Sequence, residues 1–374
     1  MNQNKILFIS HDASRTGAPI VLLNICKWLK SHTKFEFQFV LLQGGELFEE
    51  FTELASTHVL KQQSGIRRFF TFKKDVNHKL IKNLKKQNFN LIYFNTIASL
   101  KFLSKLGEDF PQPKIIHIHE LSFAFDFFNG AELLQKEFSR FYKIIAVSKA
   151  VQEYLNLKLN IPEDEIELIH EPLVGLNTFN LTDPIDLRNI LNLKNDAFIV
   201  GGSGTRDWRK GFDLFLQTAL YTNREVHFVW IGGFSVGVEL SKLNHELERF
   251  GVADRIHLID SVENPIPYYK DFDLFYLCSR EDPFPLVSLE NAACGNPILC
   301  FENAGGASEI VLKGAGRVLP YSNLIEVAKA IEIYQNNPLL MEKEGEAARL
   351  IVKEYDIEIM MKKTLSLMQT SIKK

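Results

Sequence analysis

Short apolar runs recur along this chain, and each gives way at its end to glycine or polar residues. Lys5 to Ser10 is the first, closing on His11 and Asp12. A loop with Gly17-Ala18-Pro19 follows, then an amphipathic helix pattern from Ile20 to Leu29. Strand, glycine loop and helix in that order open a doubly wound parallel sheet. Phe35 to Leu42 and Glu46 to Ala55 repeat the pair. Leu91 to Phe94 ends in Asn95-Thr96, Lys114 to Ile118 in His119-Glu120, and Lys143 to Val147 in Ser148. These polar residues fall where ligands bind in open parallel sheets, just past the strand ends.

A second series begins with Phe198 to Val200, read as a strand that leads into a Gly201-Gly202-Ser203-Gly204 loop. A helix pattern at Phe212 to Tyr221 and strands at Val226 to Ile231, Arg255 to Ile259 and Leu274 to Leu277 continue it. A length of 374 residues suits about two domains. We expect a first domain over 1–175, a polar linker with Asp183-Pro184 over 176–196, and a second domain over 197–355. Residues 356–374 read as a helix rich in Met and Leu. Two doubly wound sheets then face each other across a cleft that suits a small ligand.

Composition narrows the function. A net charge of −3 does not favour a nucleic-acid partner. Cys26, Cys278, Cys294 and Cys300 sit in apolar runs without paired metal spacing, so buried thiols in a reducing cytoplasm are expected. The N-terminus carries no signal-peptide pattern, and no apolar run approaches the roughly 20 residues of a membrane span. The G-x-G-x-x-G fingerprint is missing after the first strand, which argues against a dehydrogenase. No cofactor and no catalytic metal are expected; Asp271-Phe272-Asp273 is a short acidic pattern before a strand.

Ser279 to Val311 carries the densest chemistry: SREDPFPLVSLENAACGNPILCFENAGGASEIV. Pro283 and Pro285 suit the approach to a helix, and Leu286, Leu289, Ala292 and Ala293 recur at helical spacing up to Gly295. A helix N-terminus at Phe284, Leu286 and Val287 offers free amides to a phosphate. Glu290, about a turn inside, could accept hydrogen bonds from hydroxyls. Sugar and ribose hydroxyls joined by a diphosphate describe a nucleotide-sugar.

With these residues in view, the stretch resembles the donor-binding segment of the retaining GT-B glycosyltransferases of glycosyltransferase family 4. The resemblance implies two acids separated by seven residues, and Asp282 and Glu290 stand at that spacing. The usual first Glu is here Asp282, or its role has passed to Glu281. By resemblance Glu290 holds the donor ribose and the first acid touches a sugar hydroxyl. Lys210-Gly211 matches the family's Lys-Gly, while Thr205 occupies the place of its usual Arg, so Arg206 and Arg209 compete for the second diphosphate cation. By resemblance the strand-His-Glu pattern singles out His119 as the contact to the transferred sugar, and the Gly17-Ala18-Pro19 turn after the first strand lies near sugar and diphosphate. The resemblance further implies a GT-B fold, two Rossmann-like domains with the last helix returning to the first. It implies sugar transfer from a UDP- or GDP-sugar to a glycan, lipid-linked or protein-linked acceptor. A nucleotide-sugar epimerase and a non-catalytic partner of another transferase are the other readings.

Lys61 to Lys86 carries nine Lys or Arg and one Asp, with cations and aromatics interleaved from Arg67 to Lys74. Peripheral contact of 61–86 with anionic lipid is one expectation, each cation near the surface worth about 1 kcal/mol; a solvated basic segment is the other.

Overall fold

The computed structural model describes residues 4–61, 77–106, 110–233 and 238–374. They divide into two compact units, residues 1–171 with 360–374, and residues 172–359. The first is built on strands β1 (Lys5–Ser10), β2 (Glu36–Leu41), β3 (Ser56–Val59), β4 (Leu91–Asn95), β5 (Lys114–Ile118), β6 (Lys143–Ala146) and β7 (Ile166–Leu168). The second holds β8 (Phe198–Ser203), β9 (Val226–Ile231), β10 (Ile256–Ile259), β11 (Leu274–Leu277), β12 (Ile298–Phe301) and β13 (Gly316–Leu319).

Every pairing is parallel, in the orders β3-β2-β1-β4-β5-β6-β7 and β10-β9-β8-β11-β12-β13. The order reverses between β1 and β4 in one sheet and between β8 and β11 in the other. Such a switch point leaves a crevice at the carboxyl edge, because the flanking helices leave in opposite directions. Central strands such as β4 are buried along their whole length, since helices cover both faces.

Gly201 and Gly202 lie inside β8 and not in a loop after it, a correction to the expectation from sequence. The reason is packing. A Cβ on Gly201 would stand 1.9 Å from the Phe272 ring, and one on Gly202 would meet Trp230 and Phe215 at 2.6 and 2.7 Å. The glycines make room for aromatics on both faces of the strand.

Residues 176–196, read from the sequence as a polar linker, hold helices Leu176–Leu181 and Leu187–Ile190, with Phe179 and Leu187 buried. Asp271 and Asp273 precede β11 and serve this segment: Asp271 accepts from the Leu187 amide, and Asp273 pairs with Arg188. The last helix, Ile357–Ile372, starts in the second unit, and from Met360 onward belongs to the first. Its Met361 and Met368 are buried. All four cysteines are unpaired and buried. No described helix is long and apolar enough to cross a membrane.

Candidate functional site

In the second unit, the loop after β8 and the segment after β11 meet beside the switch point. Lys210 Nζ lies 2.6 Å from Asp282 Oδ2, and Arg209 Nη1 lies 3.9 Å from Oδ1. Arg209 also donates to the Glu281 carbonyl at 3.0 Å, and the Ser279 hydroxyl to Asp282 at 3.3 Å. Asp282 is 6% exposed. Burial alone would raise its carboxyl, but Lys210, Arg209 and Ser279 outweigh that and hold it below its ordinary value. Two cations face the one carboxylate of Asp282 here, so an anion could share them.

The backbone sets this geometry. Asp207 Oδ1 accepts from the Lys210 amide at 2.8 Å, closing the loop. Gly211 has φ +70°, and a Cβ there would sit 1.9 Å from the Cys278 carbonyl oxygen, which explains why Lys210 is followed by glycine. The Asp282 amide donates to the Ala304 carbonyl at 2.7 Å. Gly305, at φ +132°, lies so close that a Cβ would come within 1.7 Å of the Asp282 carbonyl oxygen. A side chain at Gly305 would therefore push Asp282 off Lys210.

Helix Leu286–Cys294 begins four residues after Asp282, and no side chain caps its N-terminus. Leu286 and Val287 fill its first turn, where amides lack partners within the helix. Phe284 is 3% exposed with its ring 5.5 Å from that of Tyr355, so its side chain is taken up in packing. Glu290 is half-buried and, among the described residues, has no hydrogen-bonding or ionic partner. Burial pushes its carboxyl up to about 7.

Arg206 stands apart from this cluster. Its side chain is 4% exposed and donates to the Ile259 carbonyl at 3.0 Å, with Asp260 at 3.3 Å. Of the two candidate arginines, Arg209 is the one grouped with Lys210. Arg280, which sequence reasoning passed over, grips Asp213 through two bonds of 2.7 Å and lies 5.0 Å over the Trp208 ring. Its amide donates to the Arg209 carbonyl at 2.8 Å, so it braces the basic loop.

In the first unit, His119 Nδ1 lies 2.8 Å from Glu171 Oε1, and Nε2 lies 2.9 Å from Asn95 Oδ1. Asn95 is oriented by its own amide group, which donates to the Ala18 carbonyl at 3.0 Å. The His119 side chain is 5% exposed, and its ring lies 4.0 Å from that of His117. Burial, then the charge of His119, lower His117 well below its ordinary value. Glu120 accepts from the amides of Ile97 and His119, and burial raises its carboxyl to about 7. Both nitrogens of His119 are thus engaged within the protein, so a ligand would have to displace a partner to bond either one. Gly17 opens helix Gly17–His32 and is exposed, and a Cβ there would meet open space. Sterics give no reason for glycine at that position. Residues 62–76, which include Arg67, Arg68, Lys73 and Lys74, lie outside the described residues.

Residues 184–351, which hold the Lys210–Asp282 cluster and Glu290, match the sequence model of the family described as glycosyl transferases group 1. The match covers somewhat less than half of the chain and lies within the second unit. Among curated relatives, α-galactosylglucosyldiacylglycerol synthase of Streptococcus pneumoniae is 30% identical over 177 residues, 46% of this chain and 46% of that protein. The chain thus spans about half the length of that relative. O-antigen biosynthesis glycosyltransferase WclY of Escherichia coli is 23% identical over 305 residues, 79% of each chain. HepE of Anabaena, solved in complex with UDP, superposes with a TM-score of 0.84 over 98% of this chain and 100% of its own, at 20% identity. That likeness, with the two parallel sheets, shows the GT-B fold.

Proposed function

We propose that this chain is a group 1 glycosyl transferase that moves a sugar from a nucleoside diphosphate sugar, UDP- or GDP-linked, to a glycan, lipid-linked or protein-linked acceptor. One observation carries the reading: Arg209, Lys210 and the uncapped helix start crowd around Asp282, one turn from the partnerless carboxylate of Glu290. A diphosphate satisfies the first group, and ribose hydroxyls satisfy the second. The binding of UDP by HepE, which shares the fold, supports the same donor class.

On this reading Lys210 and Arg209 take up the charge of the leaving diphosphate, helped by the amides of Leu286 and Val287. Asp282, by family resemblance, touches a sugar hydroxyl, with Glu281 beside it. By the same resemblance His119 contacts the transferred sugar, exchanging Glu171 or Asn95 for it, and Gly17 marks the approach to it. Holding acceptor and sugar together contributes rate through positioning. We further propose retention of anomeric configuration without a catalytic metal and with no side chain as covalent nucleophile.

The test is thermal unfolding in the presence of a panel of UDP- and GDP-sugars. A bound donor at about 100 times its Kd should stabilise the protein by about 2.7 kcal/mol. Glu290→Ala should remove that shift. If no nucleotide-sugar moves the midpoint, the reading fails. Release of an altered sugar without acceptor would point to epimerisation instead.

Cations outnumber acids in the first unit, and acids outnumber cations in the second. We therefore extend the proposal to contact between residues 61–86 and anionic lipid. The protein should float with phosphatidylglycerol vesicles at low salt. Reversing Arg67, Arg68, Lys73 and Lys74 should leave it at the bottom of the gradient; flotation unchanged by that reversal removes the idea.

A further inference from the structure

Seven residues other than glycine have positive φ among the described ones. Six of them are Asn, Asp or Ser with φ between 52° and 59°, in the left-handed well such residues tolerate. Thr96 is different. It is β-branched, its φ is 84° and its ψ 155°, and that region is almost reserved for glycine. It is also 2% exposed, so no solvent-side relaxation is open to it.

The surroundings hold Thr96 in this shape. Its amide donates to the His117 carbonyl at 2.9 Å. Its carbonyl accepts from the Ser99 hydroxyl at 2.6 Å, and its hydroxyl lies 3.1 Å from His11 Nδ1. The next amide, Ile97, donates to Glu120. The preceding side chain, Asn95, holds His119. The strained residue therefore sits at the switch point of the first sheet, tying the ends of β1, β4 and β5 into one array. A glycine would sit there without strain, yet the sequence has a threonine.

We propose that Thr96 is a positioning residue for the transfer reaction: its backbone and hydroxyl fix His11 and Asn95, and through Asn95 they fix the ring of His119. This rests on the reading that His119 faces the transferred sugar. Strain of this kind persists where the surrounding structure over-determines a residue, and it gathers at functional sites.

Three variants of the full chain separate this from a purely structural role. Thr96→Ala removes the hydroxyl and keeps the strain, Thr96→Gly removes both, and Thr96→Ser keeps the hydroxyl. We expect Thr96→Gly to melt above Thr96→Ala by roughly 2–4 °C, the shift a relieved strain of this order gives a large domain. In the same variant kcat should fall at least tenfold, with donor KM within twofold because the donor is held by the second unit. Thr96→Ser should keep most of the activity. Histidine side-chain ¹⁵N spectra should show the His11 and His119 signals displaced in Thr96→Gly. The proposal is overturned if Thr96→Gly keeps wild-type kcat, if it melts below Thr96→Ala, or if the His119 signals do not move. A wild-type chain that no nucleotide-sugar stabilises against heat sinks the functional reading first, before any variant is made, and the positioning role falls with it.

Discussion

Lys210→Ala is expected to lower kcat by about 10²–10³ and to destabilise the fold by about 3 kcal/mol. The two losses have different origins. The first is the missing cation at the leaving diphosphate. The second is Asp282, which stays buried with only the Arg209 cation at 3.9 Å and the Ser279 hydroxyl at 3.3 Å to answer its charge. A companion variant separates them. Lys210→Met combined with Asp282→Asn removes both charges, so urea unfolding should return most of the stability while kcat stays low. Acid titration gives a further check. Because the folded Asp282 carboxyl is held below its ordinary value of 3.8, the stability it contributes is complete above that value and is lost as the pH falls through the lower folded one. In Lys210→Ala the folded carboxyl moves up towards or past its ordinary value, so that acid-side loss should shrink or disappear. A variant with wild-type kcat would remove Lys210 from the mechanism.

Glu290 carries the second large effect, and its sign is opposite. Burial raises its carboxyl from 4.5 to about 7, so the stability linked to its protonated form is complete below 4.5 and is lost as the pH rises through 7. That loss is on the order of 3 kcal/mol, from about 1.4 kcal/mol per unit. The donor reverses the balance, since ribose hydroxyls donate more strongly to the ionised group, whose oxygens all accept. Donor Kd should therefore be flat above about pH 7 and rise close to tenfold per unit below it. Glu290→Gln should abolish the pH dependence and weaken donor binding by about 10², yet unfold at higher urea than the parent at pH 8 in the absence of ligand. Isothermal titration at several pH values reads the first effect. An unchanged slope in Glu290→Gln would assign the proton to another group.

Much of the architecture could be read from the chain because central parallel strands are apolar on both faces. β1, β4 and β5 announce themselves as short hydrophobic runs, and the polar residues after them mark the carboxyl edge. Three of the four edge strands were missed for the same reason. Ser56–Val59 and Gly316–Leu319 are only partly buried and carry no apolar run. The glycines of β8 misled because sequence alone weighs them as turn formers, whereas here they yield space to Phe272 and Trp230. At the site, spacing named Asp282, Lys210 and Glu290 one by one, but no spacing rule says that a lysine after β8 touches an acid after β11. That contact depends on two strands that are neighbours in space and 70 residues apart in the chain. The choice between Arg206 and Arg209 was open for the same reason: adjacent loop positions point to different strands once the loop closes on Asp207. Arg280 carried a faint signal, a cation beside the acidic segment, and its aspartate partner lies in the helix Phe212–Thr218.

The helix that begins at Ile357 has a consequence for how the protein comes into being. Residues 360–374 complete the unit that opens the chain, alongside Tyr142, Lys143 and the strand Ile166–Leu168. During synthesis the second unit is finished while the first still lacks a wall. The part of the protein made earliest is the last to close, and a ribosome that stalls after Ile359 leaves it open.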